Sequence, residues 1–476
     1  MVASEAVPFA KTGGLADVVG ALPRALARLG HTVDVVIPRY RGIDAGEPVA
    51  RVAVGLAGET IETTVFGTGD SGCRTLFVEH PGYFDRDHLY GAIGRDYPDN
   101  PERFAFLCRA AIQWAGSQAD PYDVLHAHDW QTGLLPVLQR HAGSPELQSI
   151  PCIFTVHNLA YQGVFDASWL PRLGLGWEWM HVNALEYWNR ISFMKGGIVF
   201  SRLITTVSPR YAQEIQTSEY GFGFDGILRS RSDDLVGILN GIDYDQWDPS
   251  RDPFLPEPFD AVRLDGKRAS RQAVLEAFGL PPDPDGRRPV VGLISRLVDQ
   301  KGFDVLADLS DELPRLNASF VLLGTGERRY EDLWLALATR HPDRVAARIG
   351  FDEAMAHRIE AGADVFLMPS RFEPCGLNQM YSLRYGTPPV VHATGGLYDT
   401  VRNFDPTTGS GTGFTFEEYS SQALLSTLRW ALQTYDDRAT WRRIQVAGMQ
   451  QDFSWDAAAG TYVTVYERAM RSTSRA

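Results

Sequence analysis

The sequence has little lysine and little cysteine, and each shortage is informative. Only four of its 45 basic residues are lysines, namely Lys11, Lys195, Lys267 and Lys301. Where arginine supplies nearly every positive charge, a remaining lysine suggests a need for a compact ammonium group, and we expect that need at Lys11 and Lys301. The four cysteines show neither the spacing of metal ligands nor the density of a disulfide scaffold, which favours a reduced compartment.

Long apolar runs and an excess of positive charge are also missing. No stretch approaches the roughly 18 consecutive apolar residues of a membrane-spanning helix, and the first residues lack the pattern of a secretory signal. We therefore expect a cytoplasmic protein that does not associate with membranes. The net charge of −14 and the isoelectric point near 5.3 argue against nucleic acid as a partner, but they allow a small anionic ligand in a locally positive cleft.

Two series of short apolar runs, separated by amphipathic helical patterns, make up most of the chain. Runs of this kind predict parallel strands that are covered on both faces, and 476 residues exceed the usual size of one hydrophobic core. We predict an α/β protein with two doubly wound domains, each binding a ligand at the carboxyl ends of its strands. The predicted domains are 1–242 and 243–455, with a linker rich in proline and aspartate at 243–260. A C-terminal helix at 456–476 could belong to either domain, including by a return to the first.

One motif, T-G-G-L-x-D-x-V, occurs twice, at 12–19 and at 394–401. Each copy lies where a helix is predicted to begin, so that unpaired backbone N–H groups and the positive end of the helix dipole are available to an anion. Paired glycines allow a ligand to approach the backbone closely. Lys11 adds a full positive charge to the first copy, and a ligand with more than one phosphate would use both copies.

Charged residues follow predicted strands in the second half of the chain. Arg296 and Lys301 lie on the loop after PVVGLI, where two cations are suited to clamp a diphosphate. Glu373 follows DVFLMPS, where it could cap a helix or accept hydrogen bonds from sugar hydroxyl groups. By contrast, GTGDSG at 67–72 is followed by a strand, which predicts a hairpin loop and not a dinucleotide site. Three D-x-D triplets lie in turn-like sequence, and none of them calls for a metal.

Seven segments resemble the bacterial glycogen synthases and plant starch synthases, over nearly the whole chain and in that family's order. They are VASEAVPFAKTGGLADVVGALPRAL, DVLHAHDWQTGLLP, FTVHNLAYQGVF, TVSPRYAQEI, GILNGIDYDQWDP, ISRLVDQKGFDVL and SRFEPCGLNQMYSLRYGTPPVV, and TGGLYDTV follows them. The resemblance implies a GT-B architecture, in which two Rossmann-like domains face each other across a deep cleft. It also implies a retaining glucosyltransferase that uses ADP-glucose, with no cofactor and no metal, to extend the non-reducing 4-hydroxyl end of an α-1,4-glucan such as glycogen.

The same resemblance implies roles for individual residues. In the catalytic set, Lys11 matches the lysine at the donor site, His157 faces the donor glucose, Arg296 and Lys301 neutralise the departing diphosphate, and Glu373 grips sugar hydroxyl groups. The matching donor-binding positions are Gly14, Asp17, Phe351 (which stacks on the adenine), Cys375, Gly376, Leu377, Thr394, Gly395 and Gly396. Tyr97 and Asn100 match a loop near the active site.

Two other functions fit the same residues. The first is a related GT-B transferase that uses UDP-glucose or makes a disaccharide, and the second is a non-catalytic glucan-binding protein. Retention of configuration makes Glu373 a tempting nucleophile, whereas the family implies same-face attack, in which the leaving phosphate takes the acceptor's proton.

The chain departs from the family's pattern at two places. The apolar run that usually precedes VASEA is absent, so we expect a shortened first strand. Tyr381 stands at the second position of the E-x7-E pattern of related retaining transferases, a change that the glycogen synthase branch tolerates.

Overall fold

Two compact units divide the chain in the computed structural model, which describes residues 1–70, 72–92 and 94–472. The first unit comprises Met1–Gly241 and the C-terminal segment from Trp455, and the second comprises Ile242–Ser454. The segment 243–260, predicted as a linker, is thus the beginning of the second unit.

The first unit is built on a largely parallel sheet with an antiparallel edge. The strands of this unit are β1 (Val33–Pro38), β2 (Glu47–Leu56), β3 (Glu59–Gly69), β4 (Cys73–Val78), β5 (Gly91–Ala92), β6 (Arg95–Asp96), β7 (Leu125–His128), β8 (Cys152–Val156), β9 (Val164–Asp166), β10 (Glu186–Tyr187), β11 (Arg190–Ser192), β12 (Leu203–Thr206) and β13 (Leu235–Gly237). Of these, β5 and β6 pair with each other, and β9, β10 and β11 form a small sheet of their own. Two groups, β1-β4-β3-β2 and β7-β8-β12-β13, are joined at Val2, which pairs in parallel with Val36 of β1 and Ala127 of β7. The expected short first strand is therefore one ladder position in the middle of this sheet.

Helices cover the first sheet. They are α1 (Gly14–Arg28), α2 (Pro81–Phe84), α3 (Asn100–Gly116), α4 (Leu135–Ala142), α5 (Pro145–Ser149), α6 (Trp169–Arg172), α7 (Phe193–Phe200), α8 (Pro209–Glu214) and α9 (Asp225–Ser230). The apolar residues of α1 recur at helical spacing, and Leu15, Val18, Leu22 and Leu26 are buried as that spacing requires.

A hairpin was predicted at GTGDSG, and β3 and β4 do pair antiparallel, with Gly69 opposite Arg74. Ser71, in the loop of this hairpin, lies outside the described residues. The antiparallel pairing of β2 with β3 was not anticipated.

The second unit contains a parallel sheet with helices on both faces. Its strands are β14 (Val290–Ile294), β15 (Ser319–Gly324), β16 (Val345–Ile349), β17 (Val365–Met368), β18 (Pro389–His392) and β19 (Phe414–Phe416). Its helices are α10 (Asp265–Ala277), α11 (Phe303–Asp308), α12 (Arg328–Arg340), α13 (Glu353–Gly362), α14 (Asn378–Arg384), α15 (Gly395–Thr400), α16 (Ser421–Tyr435) and α17 (Arg438–Met449). In the described residues the strand order is β16-β15-β14-β17-β18-β19, the order typical of a Rossmann fold.

Burial on both faces explains the continuous apolar runs of this sheet. Val291 and Leu293 of β14 enter one apolar cluster, whereas Val290 enters another. Likewise Phe320 of β15 belongs to the first cluster and Val321 to the second. Because successive strand side chains point to opposite faces, a strand that is covered on both sides needs apolar residues at every position.

The last helix, α18 (Trp455–Ser472), belongs to the first unit. Its residues Trp455, Ala459, Tyr462 and Val465 are buried in the same apolar cluster as residues of α1. The chain therefore returns to its first unit after completing the second.

Candidate active site

The strand order of the second sheet reverses between β14 and β17, where the connecting loops leave in opposite directions and open a crevice. Lys301 follows β14 and Glu373 follows β17, and their side chains form an ion pair with Nζ and Oε2 2.6 Å apart. The lysine side chain is 16% exposed and the glutamate side chain 7%. Ser370 Oγ donates to the same carboxylate oxygen at 2.9 Å. Two predicted catalytic residues, 72 positions apart in sequence, thus meet where sheets of this type bind ligands.

Gly302 allows the Lys301 loop to approach the end of β17. Its φ is +82°, and a Cβ at this position would overlap the carbonyl oxygen of Pro369. Only glycine adopts this conformation readily and also fits the space. Lys301 ends a 3-10 turn, and α11 begins at Phe303, so Lys301 lies on the loop that joins β14 to α11.

The second T-G-G-L copy packs directly against the backbone that carries Glu373. The Gly396 N–H donates to the carbonyl oxygens of Glu373 at 3.1 Å and of Pro374 at 3.2 Å. A Cβ at Gly395 would overlap the Glu373 carbonyl oxygen, and a Cβ at Gly396 would overlap that of Cys375. Thr394 and both glycines are buried. These glycines therefore hold the Glu373 loop in place.

The EPCGL segment is an extended turn that precedes a helix. Because α14 begins at Asn378, with Leu377 at its N-cap position, Glu373 does not cap this helix. Cys375 is buried, and Gly376 has a φ of +70°.

Arg296 and Phe351 also follow strands of the second sheet, but their side chains are exposed. The Arg296 guanidinium donates from Nη2 to Gln300 Oε1 at 3.4 Å. Phe351 follows β16 and is 87% exposed, which is unusual for an aromatic side chain. Neither residue contacts the pair formed by Lys301 and Glu373 in the described part of the chain.

The first T-G-G-L copy is open to solvent. Lys11 Nζ and Asp17 Oδ1 lie 2.6 Å apart, and the lysine side chain is 50% exposed. Gly13, Gly14 and their neighbours Lys11 and Thr12 are all exposed, and a Cβ at Gly13 would meet nothing within 4 Å.

Glu5, to which the sequence analysis gives no role, fixes the shape of this loop. Its buried carboxylate accepts hydrogen bonds from the Thr12 N–H, from Thr12 Oγ1 at 2.6 Å, from the Gly13 N–H at 3.3 Å and from the Tyr90 hydroxyl. The amides of Thr12 and Gly13 are therefore in use. The expectation that this helix start presents free N–H groups to an anion applies only from Gly14 onward.

His157 lies at the carboxyl end of β8, and its backbone and its ring are contacted by the residue after β7 and by the last residue of β7, respectively. Asp129 Oδ1 accepts the His157 N–H at 2.7 Å, and Asp129 adopts a φ of +56°. His128 Nδ1 lies 3.0 Å from His157 Nε2.

Burial controls the charge of these groups. It lowers the pKa of His157 to about 3 and the pKa of His128 well below its usual value, so both rings are neutral at pH 7. Burial also raises the pKa of the Asp129 carboxyl to about 7.

Asn100 and Tyr97 support a neighbouring loop. Asn100 is buried, donates from Nδ2 to the Tyr90 carbonyl oxygen at 2.9 Å and accepts from Arg103 Nη1 at 2.6 Å. The Tyr97 ring lies below the guanidinium groups of Arg86 and Arg103, at 4.6 and 5.0 Å. Since both polar ends of the Asn100 side chain are occupied within the protein, this residue shapes the loop that carries Tyr90.

Four residues of this region were missed by sequence reasoning: Glu5, His128, Asp129 and Ser370. Each lies at or shortly after the carboxyl end of a strand: His128 and Asp129 at the end of β7, Ser370 after β17, and Glu5 after the ladder position of Val2. That placement is the signal that could have found them, because strand ends of a doubly wound sheet converge on the ligand.

Neither a membrane-spanning helix nor a metal-binding cluster is present among the described residues. None of their helices is long and apolar enough to cross a membrane. No group of three or more His, Cys, Asp or Glu side chains in the same residues is arranged to hold a metal ion.

Comparison with known proteins places the chain among polysaccharide synthases. Residues 1–230 match the family described as starch synthase catalytic domain, and residues 281–445 match the family described as glycosyl transferases group 1. The glycogen synthase of Koribacter versatilis (strain Ellin345) is 49% identical over 98% of this chain and 97% of its own length. That of Anaeromyxobacter dehalogenans (strain 2CP-C) is 51% identical over 98% of each chain. The chain belongs to the glycogen synthase family.

A solved structure supports the same assignment. The catalytic domain of starch synthase IV from Arabidopsis thaliana, bound to ADP and acarbose, is 35% identical and superposes with a TM-score of 0.90, covering 99% of this chain and 98% of its own. As a member of the glycogen synthase family, the chain is a glucosyltransferase with two Rossmann-like domains of the GT-B type. The predictions of family, fold class and enzyme class are thereby confirmed.

Proposed function

We propose that this chain transfers glucose from ADP-glucose to the non-reducing 4-hydroxyl end of an α-1,4-glucan, with retention of configuration. The observation that carries the proposal is the pair Lys301–Glu373 at the point where the strand order of the second sheet reverses. In a chain of this family, the pair offers a cation for a diphosphate and a carboxylate for sugar hydroxyl groups at one position.

The pair acts by exchange of partners. Without substrate, Lys301 neutralises Glu373, which avoids a buried and unpaired carboxylate. When the nucleotide sugar binds, Lys301 turns to the phosphate, and Glu373 accepts hydrogen bonds from the hydroxyl groups of the glucose. The phosphate then pairs with Lys301, and the hydrogen bonds from the sugar hydroxyl groups solvate the Glu373 carboxylate in place of the lysine.

The remaining predicted residues complete the donor site. Arg296, exposed after β14, adds a second cation for the diphosphate, and the exposed ring of Phe351 stacks on the adenine. Lys11 leaves Asp17 for the phosphate, and Gly14 supplies the first unoccupied amide of its helix. Thr394, Gly395, Cys375 and Leu377 line the phosphate and the sugar, whereas Gly396, whose N–H group already donates to the Glu373 loop, contributes by holding that loop in place.

The reaction breaks the bond between the anomeric carbon and the phosphate oxygen and forms a bond to the acceptor's 4-oxygen on the same face of the sugar. The acceptor's proton passes to the departing phosphate oxygen, so that ADP leaves with it. Negative charge develops on the diphosphate, where fixed cations and helix N–H groups stabilise it without reorganisation. These groups supply the stabilisation that a metal would otherwise provide, and we propose that no cofactor is required.

The proposal is tested by steady-state rates with ADP-glucose and with UDP-glucose on glycogen. A faster reaction with ADP-glucose is expected, and a faster reaction with UDP-glucose would overturn the proposed donor. A trapped covalent glucosyl-Glu373 would overturn same-face attack. We further propose that the protein acts in the cytoplasm on ADP-glucose and glucan, with neither nucleic acid nor membrane as a partner.

A further inference from the structure

The hydrogen bond between His128 and His157 has two forms, and they differ in what His157 offers to a ligand. Both side chains are buried, and His128 Nδ1 lies 3.0 Å from His157 Nε2. In the first form His128 Nδ1 carries the hydrogen and donates it, so the hydrogen of the neutral His157 ring is on Nδ1. In the second form His157 Nε2 donates, and the hydrogen of His128 must then be on Nε2.

The surroundings of His128 Nε2 decide between these forms. This atom is buried and has no hydrogen-bond partner in the part of the chain that the structure describes. In the second form it would be a buried N–H group without an acceptor, and such groups are rare in proteins because they lose their bond to water. In the first form it carries only a lone pair, which is tolerated more often.

The neighbouring ring of His126 does not supply an acceptor for an N–H group at His128 Nε2. The His126 ring packs on His128 at a centroid distance of 4.1 Å. However, His126 uses one nitrogen for Thr155 Oγ1, at 2.6 Å, and the other for the Tyr466 hydroxyl, at 2.9 Å. The backbone of His128 is held as well, because its N–H donates to Thr132 Oγ1 at 2.6 Å. The backbone of His128 is therefore fixed, and Nδ1 is the ring atom that faces His157.

We propose that His128 is a positioning residue that sets the tautomer of His157, so that His157 presents an Nδ1–H group to an oxygen atom of the donor glucose or its phosphate. This inference rests on the proposed function, in which His157 faces the donor glucose. It deepens that function by stating which ring nitrogen carries the hydrogen. The chemistry recognised is a hydrogen-bond acceptor, such as a hydroxyl or phosphate oxygen.

Burial supports the proposal, because it keeps both rings neutral at the pH of a cytoplasm and so makes the tautomer matter. A free imidazole ring favours the Nε2–H form. Without His128, His157 would therefore tend to the opposite tautomer and would turn a lone pair toward the ligand.

The first test compares two substitutions of His128. In His128→Asn, the carboxamide nitrogen occupies the position of Nδ1 and still donates, whereas His128→Leu removes the donor. We expect kcat to fall about tenfold or more in His128→Leu, the effect of one misdirected hydrogen bond in a transition state. Most of this loss should be recovered in His128→Asn. His31→Asn, a substitution of an exposed histidine, is the control. Equal losses in His128→Leu and His128→Asn would overturn the proposal.

The second test reads the tautomer directly from imidazole ¹⁵N chemical shifts in protein labelled at histidine. The His157 signals are assigned by their loss in His157→Gln. We expect Nδ1 to be protonated in the wild type and in His128→Asn, and Nε2 to be protonated in His128→Leu. An Nε2–H form in the wild type would overturn the proposal even if His128→Leu does not fold. If the wild type fails to use ADP-glucose, the proposed function is wrong, whereas the chemical shifts still decide the tautomer.

Discussion

The two T-G-G-L loops have the same sequence and opposite surroundings. The first is exposed, begins a helix of 15 residues and leaves open space around Gly13. The second is buried, begins a helix of six residues, and its glycines touch the backbone of Glu373 and Cys375. Glycine leaves open space beside the first loop, whereas in the second loop it leaves room for the protein itself. A repeated motif therefore need not perform a repeated function.

The lysines near these loops differ in the same way. Lys11 and Lys301 each lie 2.6 Å from a carboxylate oxygen, but the side chain of Lys11 is 50% exposed and that of Lys301 is 16% exposed. An exposed pair contributes about 0–1 kcal/mol to stability. Removing one partner of a buried pair costs about 3–5 kcal/mol because the other charge is left unpaired. Substitution of Lys301 should therefore lower both the rate and the free energy of unfolding, whereas substitution of Lys11 should lower mainly the rate.

The largest effect is expected for Lys301→Ala. The rate constant of transfer from ADP-glucose should fall about a thousandfold, and the free energy of unfolding should fall by about 3 kcal/mol because Glu373 loses its cation. Single-turnover kinetics and urea unfolding measure the two effects. The double variant Lys301→Ala/Glu373→Ala should recover stability but not activity. Retention of Lys301→Ala on a glycogen affinity gel should be unchanged, and a matching loss of retention would favour a glucan-binding protein.

The next effect concerns the packing of the second loop. In Gly396→Ala, the new Cβ would overlap the Cys375 carbonyl oxygen, so the Glu373 loop must move. A shift of about 1 Å lowers kcat by about a hundredfold, and the overlap should lower the free energy of unfolding by about 1–3 kcal/mol. Gly13→Ala, in open space with an extended φ of −156°, is the matched control and should change the free energy of unfolding by less than about 0.5 kcal/mol. Equal destabilisation of the two variants would mean that the loops do not differ as described.

A smaller effect is expected for Lys11→Ala. The value of kcat/KM for ADP-glucose should fall about ten- to a hundredfold, while the free energy of unfolding should change by less than about 1 kcal/mol, because the pair with Asp17 is exposed. Lys11→Arg should not restore the rate if a compact ammonium group is needed. A rate equal to that of the wild type in Lys11→Arg would show that any cation suffices.

The last comparison concerns the pH dependence of stability and not the rate of transfer. The strand ends of the first unit carry buried neutral histidines, whereas those of the second carry the pair formed by Lys301 and Glu373. Burial lowers the pKa of His157 from 6.5 to about 3. Between these values the unfolded chain binds the extra proton, so stability is present above pH 6.5 and is lost as the pH falls. Each such histidine contributes at most about 1.4 kcal/mol per pH unit.

Asp129 acts in the opposite direction. Burial raises its pKa from 3.8 to about 7, so its contribution is lost as the pH rises through this range. Because His126 and His128 are shifted in the same direction as His157, the net effect is loss of stability on acidification from pH 6.5. Urea unfolding between pH 4 and 6.5 checks this, and the slope should be shallower in His157→Gln. An unchanged slope would exclude His157 as a source.

Much of the fold was predictable because buried parallel strands require apolar residues at every position. The runs PVVGLI, in β14, and DVFLMPS, in β17, indicate strands for this reason. Other elements give weaker signals, and β19 and β2 are among those that were missed. β19 has three residues and gives almost no periodic signal. Along β2, Val52, Val54 and Leu56 are buried, and the residues between them, Ala53 and Gly55, are exposed but not polar. Burial therefore alternates along β2 without an alternation of apolar and polar residues in the sequence.

The sequence by itself determined where the elements lie and which charged residues follow their ends, because both depend on local order along the chain. Only the tertiary structure decided which of these residues meet. Lys301 reaches Glu373 because β14 and β17 are neighbours in the sheet, and Glu5 reaches Tyr90 across 85 positions. Strand order depends on how whole elements pack, and no local pattern encodes it. For that reason the two T-G-G-L loops looked alike in sequence and differ in the folded protein.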